Sequence, residues 1–206
     1  MWNFRAYFIQ YIIYIRLMSS KGYPNLHTGQ VLISEPFIED PTFERSVILL
    51  AEYHAEGAVG FVLNQLSNFV LSDLVPDLSA VNLPIFMGGP VELDSLHCIH
   101  NCPHIDGAIG VKQNVYWGGD FEQIIAGFKS GLLKEHQFKF FMGYSGWAQN
   151  QLLNEIKQKS WIIGSISDRI IFDHTKNTKE LWKYALKNKG GKVALLANSP
   201  ISPLLN

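Results

Sequence analysis

The stretch SVILLAEYHAEGAVGFVLNQ, residues 46–65, joins two apolar runs across a short polar break. The first run, SVILLAEY (46–53), is nearly continuous and short, as a strand buried on both faces must be. The second, AVGFVLNQ (58–65), is of the same kind, and Gly57 marks a turn between them. The pair predicts a β-hairpin. Upstream, GQVLIS (29–34) predicts a strand, punctuated by Pro36 and Pro41. Downstream, LSDLVPDL (71–78) predicts a helical turn broken at Pro76, PIFMGGPV (84–91) a strand entering a Gly-Gly-Pro turn, and SLHCIHN (95–101) a further strand.

The period changes at VYWGGDFEQIIAGFKSG (115–131). Val115 to Trp117 is a short strand and Gly118-Gly119 a turn. Asp120 then caps a helix, with Gln123 three residues on as a capping-box-like partner. Phe121, Ile124, Ile125 and Phe128 recur at helical spacing, and Gly131 ends the helix. FKFFMGYSGW (138–147) predicts a strand and a sharp turn, AQNQLLNEIKQ (148–158) a helix, SWIIGSI (160–166) and RIIF (169–172) strands, and TKELWKYALKNKGG (178–191) an amphipathic helix. Strands outnumber helices, come first as hairpins and are interleaved with helices only later. That order predicts an α+β fold and not a doubly wound α/β one.

Composition narrows the function classes. Of 206 residues, 47% are hydrophobic and 17% charged, which fits one domain with a substantial core. The formal net charge is −1. A surface built to track a phosphate backbone carries a basic excess or stripe, so direct nucleic-acid binding is disfavoured. Lys183, Lys187, Lys189 and Lys192 read as a solvated helix face and C-terminus, where cations are favoured. Two cysteines make no disulfide framework, and we read the compartment as reducing.

Residues 1–18 stand apart as an N-terminal extension. The run WNFRAYFIQYIIYIRLM is aromatic and Ile-rich but carries Arg5, Gln10 and Arg16. It is shorter than the roughly 20 apolar residues of a membrane span. Three readings stay open: a chain that natively starts at Met18, a helical appendage, and a targeting segment or anchor. Residues 27–198 are read as a single domain and 199–206 as a tail.

Three features tempt a chemical reading. GYSGW (143–147) lies between the expected strand and helix, like a nucleophile elbow of the form G-x-S-x-G. Trp147 stands where the second glycine belongs, and His174 is the only histidine after Ser145. The expectation is therefore that Ser145 caps the helix. The pairs Gly88-Gly89 and Gly118-Gly119 could cradle a phosphate, yet neither is followed by the Lys-Ser or Lys-Thr of a P-loop. HCIHNCPH (97–104) holds His97, Cys98, His100, Cys102 and His104. Strand alternation puts Cys98 and His100 on one face and His97 and Ile99 on the other. A structural zinc site draws a second ligand pair from elsewhere, and the chain has no further cysteine. No metal site and no cofactor is expected.

Taken together, VLISEPFIEDPTFERSVILL, GAVGFVLNQ, FMGGPVELDSLHCIH, VYWGGDFEQ and GYSGWAQNQLLNEI followed by SWII resemble the YqgE/AlgH family (UPF0301, DUF179), from about residue 27 to about residue 190. The resemblance implies an α+β fold with a bifurcated, partly barrel-like mixed β-sheet surrounded by helices. It implies a bacterial, cytoplasmic protein of unestablished biochemical activity, with "transcriptional regulator" attached to some members as a name only. Family members commonly have glycine where Asn150 stands. Asn tolerates left-handed backbone angles, so the turn can survive. No catalytic residue comes with the resemblance. Asn64, Gly88, Gly89, Pro90, Gly118, Gly119, Asp120, Tyr144, Trp147, Gln151 and Glu155 are the candidate groove for a protein or small-molecule partner. Glu92 sits at a comparable turn position. The leading expectation is a regulatory, interaction or ligand-binding module. The alternative is an enzyme acting on a small molecule or nucleotide, with Asp120, Glu155 and Tyr144 as acid–base groups.

Overall fold

The computed structural model describes residues 26–175 and 178–199. The N-terminal extension and residues 200–206 of the tail lie outside the described residues. Ten strands form the sheet: β1 (Val31–Ser34), β2 (Val47–His54), β3 (Gly57–Val62), β4 (Leu66–Val70), β5 (Pro84–Met87), β6 (Val91–His100), β7 (Ile109–Lys112), β8 (Val115–Trp117), β9 (Phe138–Ala148) and β10 (Trp161–Gly164). Their order is β10-β1-β2-β3-β9-β6-β8-β7, with β4-β5 as a branch on β9. All pairings are antiparallel except that of β5 with β9. The expected hairpin is β2-β3, closed at the His54–Gly57 pair.

β9 makes the sheet bifurcate. Its last residues pair β3, from Ser145 opposite Gly60 to Ala148 opposite Gly57. On the same edge, Phe140 to Met142 pair β5. Its other edge pairs β6 from Phe138 to Tyr144, with a shift of register between Leu96 and Val91. The branches part at Gly143, whose φ of 63° is the left-handed angle that a Cβ resists.

The sheet curls around an inner core of Val31, Ile33, Val47, Leu49, Phe61, Ile99, Val115, Trp117 and Phe141. It does not close, because the terminal strands β10 and β7 do not pair. Side chains bridge the gap instead. Lys112 of β7 donates to the carbonyl of Ile166 at 3.0 Å and meets Asp168 at 2.8 Å, both just beyond β10. The helices are α1 (Leu71–Leu74), α2 (Phe121–Lys129), α3 (Gln151–Lys157), α4 (Asp168–Ile171) and α5 (Thr178–Lys189). α4 and α5 cap the inner core with Ile171, Leu181, Trp182 and Leu186. α1 and α2 cover a second core on the outside of the sheet, which includes Cys98, Phe138 and Phe140. α3 covers a third, with Leu32, Ile48, Leu50, Trp147 and Trp161.

This layering explains the continuous apolar runs. In β2, Val47, Leu49 and Ala51 face the inner core while Ile48 and Leu50 face the third one. A strand buried on both faces cannot alternate apolar with polar residues.

The structure corrects the reading in four places. RIIF is not a strand: α4 begins at Asp168 and buries Ile171 and Phe172 against the inner core. A short apolar run fits either state, and here the packing decided. FKFFMGYSGW has no sharp turn before Trp147, since β9 runs unbroken to Ala148. Ser145 therefore pairs with Gly60 inside the sheet and caps no helix. β4 and β7 were not expected, because LSNFV and IGVK are short, polar or Gly-containing edge strands.

Candidate functional site

The Gly-Gly-Pro corner sits in the β9 fork. Gly88 N–H donates to the Met142 carbonyl at 2.8 Å on one branch, and the Gly88 carbonyl accepts from Val62 N–H at 2.9 Å on the other. The Ser145 hydroxyl also donates to the Gly88 carbonyl, at 3.0 Å. A Cβ on Gly88 would lie 2.2 Å from the Gly143 carbonyl oxygen, and one on Gly89 2.4 Å from the Ser145 nitrogen. The glycines are required by backbone approaching backbone, with no phosphate needed to explain them.

Beyond exposed Pro90, the chain enters β6. Val91 pairs with Tyr144, and Glu92 adopts φ 49°. Ser95 donates its hydroxyl to the Glu92 carbonyl at 2.7 Å. His97 Nε2 lies 2.8 Å from the same Ser95 Oγ. The hydroxyl's one hydrogen is committed to Glu92, so His97 is the donor and Ser95 is not activated. Burial pushes His97 down to about 4, which keeps it neutral near pH 7. Tyr144 stands edge-on to His97 and directs its hydroxyl at Glu92, 3.5 Å away. Leu93 is 47% exposed and lies beside Gly143; the Tyr144 ring and Val91 flank Gly146. The fork thus presents a partly apolar face that backbone hydrogen bonds hold in place.

Trp147 of β9 and Gln151 and Glu155 of α3 form a second group, on the outside of the sheet. Trp147 Nε1 and Trp161 Nε1 both donate to Glu155 Oε2, at 2.8 and 2.7 Å. Gln151 donates to Glu155 Oε1 at 2.9 Å and accepts from Ala148 N–H at 3.0 Å. The carboxylate ties β9 to β10 through their indoles. A group engaged this fully holds a fold together and is poorly placed to move protons. Asn150 takes φ 62°, so the left-handed turn does survive with Asn in place of Gly. Beside it, Tyr53, His54, Gly57, Ala148, Leu152 and Leu153 line a shallow depression.

Gly118, Gly119 and Asp120 are elsewhere, where β8 enters α2. Asp120 accepts from Glu122 N–H and Gln123 N–H, the expected cap. Gln123 does not complete a box; its side chain accepts from Asp106 N–H at 2.8 Å. Gly119 is needed because a Cβ would meet Ile105 at 2.5 Å. Asn64 is placed in the backbone of the β2 entry. Its amide accepts from Val47 N–H and donates to the Arg45 carbonyl, both at 2.9 Å. The structure therefore brings Gly88, Gly89, Pro90 and Tyr144 together, places Trp147 near the end of β9 with Gln151 and Glu155 of α3, and separates Gly118 to Asp120 from both.

HCIHNCPH also finds its role. Cys98 joins the second core and Ile99 the inner one, as the alternation requires. His100 Nε2 donates to the Gly118 carbonyl at 2.8 Å, and its Nδ1 accepts from Cys102 N–H at 3.2 Å. Its ring stacks with Tyr116 and Phe138. Burial raises Cys98 to about 12, so its thiol is inert. Among the described residues, no three His, Cys, Asp or Glu side chains group as a metal site.

Lys139 was missed. It is 1% exposed, with Nζ 4.0 Å above the Phe86 ring and 3.4 Å from the Asp173 carbonyl. The signal was legible: one lysine inside the aromatic run FKFF, in a strand that must bury both faces.

The fold recurs in solved structures. The solution structure of the AlgH protein from Pseudomonas aeruginosa superposes with a TM-score of 0.67 at 23% identity, covering 88% of this chain and 98% of that one. The crystal structure of protein DIP2367 from Corynebacterium diphtheriae gives 0.69 at 20% identity, covering 90% and 97%. Among sequences, a UPF0301 protein of Cytophaga hutchinsonii is 38% identical over 183 residues, 88% of this chain and all of that protein. One of Chlorobaculum tepidum is 35% identical over 182 residues, covering 88% and 96%. The AlgH-like family model, DUF179, matches residues 31–194. With that match over most of its length and relatives at this identity, the chain belongs to the AlgH-like family.

Proposed function

We propose that this protein is a cytoplasmic interaction or ligand-binding module with a regulatory role, and that the β9 fork is its recognition face. The observation that carries the reading is the saturation of Glu155, one of the acid–base candidates, by two indoles and an amide. The fork supports a binding role because it combines a rigid backbone with exposed Pro90 and Leu93 and half-buried Tyr144. Preorganised apolar and aromatic groups make good anchors, since little freedom is lost on binding. Regulation through direct DNA contact is not favoured by a formal net charge of −1. No helix among the described residues is long and apolar enough to cross a membrane.

The test is site-specific photocrosslinking in cells. A photoreactive residue at Leu93 should give discrete adducts that one at the more exposed Leu132, in the α2–β9 connection, does not. Leu93→Asp should abolish binding of the adduct partner by purified, folded protein. Adducts equal at both positions would reject the fork as the recognition face. Turnover of a compound that stabilises the protein in a metabolite screen would favour the enzyme alternative.

A further inference from the structure

Glu52 of β2 is a carboxylate only 6% exposed. Its one ion-pair contact among the described residues is His54 Nε2, 3.3 Å from Oε1. That nitrogen is itself buried and makes no hydrogen bond. A buried carboxylate with so little compensation is costly, and an unsatisfied buried group asks for a donor. The register says where Glu52 faces. It stands opposite Val59 of β3, and Val59 stands opposite Gly146 of β9. Residues directly opposed share a face, and Val59 and Tyr144 pack against the inner core. In the next row outward, His54 pairs with Gly57 and Gly57 with Ala148. Gly146 and Ala148 are exposed. The small residues leave the backbone of β3 and β9 bare, as the floor of a trough at the rim of the inner core.

The trough has an aromatic wall on the β6 side. The Tyr144 ring lies over Gly146, where a Cβ would come 3.2 Å from Cε2. His97 and Trp117 continue the wall, with centroids 5.8 Å from Tyr144 to His97 and 6.2 Å from His97 to Trp117. Glu92 adds a second carboxylate, 3.5 Å from the Tyr144 hydroxyl. Two inter-strand spacings, roughly 10 Å, separate the backbones of Glu52 and Gly146. The four strands that build the trough, β2, β3, β6 and β9, carry Glu52, Glu92 and Asp94 but no arginine. Their one lysine, Lys139, is buried near the start of β9. Neither Glu92 nor Asp94 makes an ion pair among the described residues.

We propose that this trough receives a basic side chain, best an arginine, from a partner protein whose neighbouring apolar residues pack on the fork at Leu93 and Pro90. The proposal rests on the reading of the fork as a recognition face and names the chemistry it recognises. A guanidinium supplies the donors that Glu52 lacks, and its plane stacks on an aromatic ring. Carboxylates without a cation of their own complement its charge. A free small cation is a poorer match, because small ligands bind in clefts that bury most of their surface, whereas this floor is open at Gly146 and Ala148.

NMR titration of the full chain tests this with N-acetylarginine amide as the probe and its neutral isostere N-acetylcitrulline amide as the comparison. The arginine probe should give saturable shifts at the amides of Glu52, Gly57 and Gly146, and the citrulline probe should not. Glu52→Gln should weaken the arginine probe about tenfold, since a charge-assisted bond becomes a neutral one. Glu92→Gln, at an exposed position, should weaken it too and decides the matter if Glu52→Gln does not fold. Glu135→Gln, in the α2–β9 connection, should change nothing. Equal binding of the two probes, or undiminished binding in whichever trough variant folds, would overturn the cation site. If Leu93 adducts persist in that case, the fork remains a recognition face whose partner uses no basic side chain here. Agmatine bound far more tightly than the arginine probe would overturn the protein partner in favour of a free amine.

Discussion

The hydroxyl of Ser145 donates to the carbonyl of Gly88 at 3.0 Å, from a residue only 1% exposed. That bond joins the strand carrying GYSGW to the Gly-Gly-Pro corner and removes the serine from any nucleophilic role. Ser145→Ala should cost about 1 kcal/mol, because Gly88 keeps the bond from Val62. Denaturant midpoints measure the loss. A fluorophosphonate probe should leave the wild-type serine unlabelled, and labelling would contradict the assignment.

The two glycine pairs should respond differently to alanine. Gly88→Ala forces a Cβ to 2.2 Å from the Gly143 carbonyl oxygen and should cost about 3 kcal/mol or more. Gly118→Ala meets nothing within 4 Å and bears only its φ of 71°, for about 1–2 kcal/mol. Comparable costs at the two sites, measured by urea unfolding, would show that the fork tolerates a Cβ.

Glu155→Ala strands the N–H groups of two nearly buried indoles, Trp147 and Trp161. It should cost about 3 kcal/mol and shift tryptophan emission to the red. Glu155→Gln keeps an acceptor and should cost about 1 kcal/mol. If the alanine variant is as stable as wild type, the carboxylate is not the tie between β9 and β10.

His100 is held by the Gly118 carbonyl and the Cys102 N–H. His100→Ala should cost about 2 kcal/mol by leaving a buried carbonyl and N–H unpaired. A chelator should leave the Tm of the wild type unchanged. A chelator-induced fall in Tm, with zinc found by elemental analysis, would restore the metal reading of HCIHNCPH.

Stability should rise with pH. Lys139, His97 and His174 all have folded values below their ordinary ones of 10.5, 6.5 and 6.5. The unfolded chain therefore binds more protons. The Lys139 penalty is absent above about 10.5 and grows as pH falls toward about 7; the histidine penalties grow from 6.5 toward about 4. Between pH 9 and pH 7 the loss from Lys139 is about 2 kcal/mol. Lys139→Met should remove that slope and stabilise the protein at pH 7. A variant with the wild-type slope in urea titrations would show that Lys139 is charged in the folded state.

What the sequence determined by itself was local. The apolar runs of 46–65 specified the hairpin, Asp120 specified where α2 starts, and Asn150 could take the left-handed angle of a family glycine. Each follows from turn chemistry or periodicity within a few residues. The Gly-Gly-Pro corner, by contrast, has its meaning only where Gly88 meets Met142 and Val62, 54 residues ahead and 26 behind. The same long-range pairing kept Ser145 in a strand and gave Glu155 its two indoles. It also put Lys139 beneath Phe86, and packing on the inner core turned RIIF into a helix. Sheet topology is set by contacts distant in the chain, and the bifurcation itself was an expectation from the family resemblance until β9 was seen to share one edge between β3 and β5.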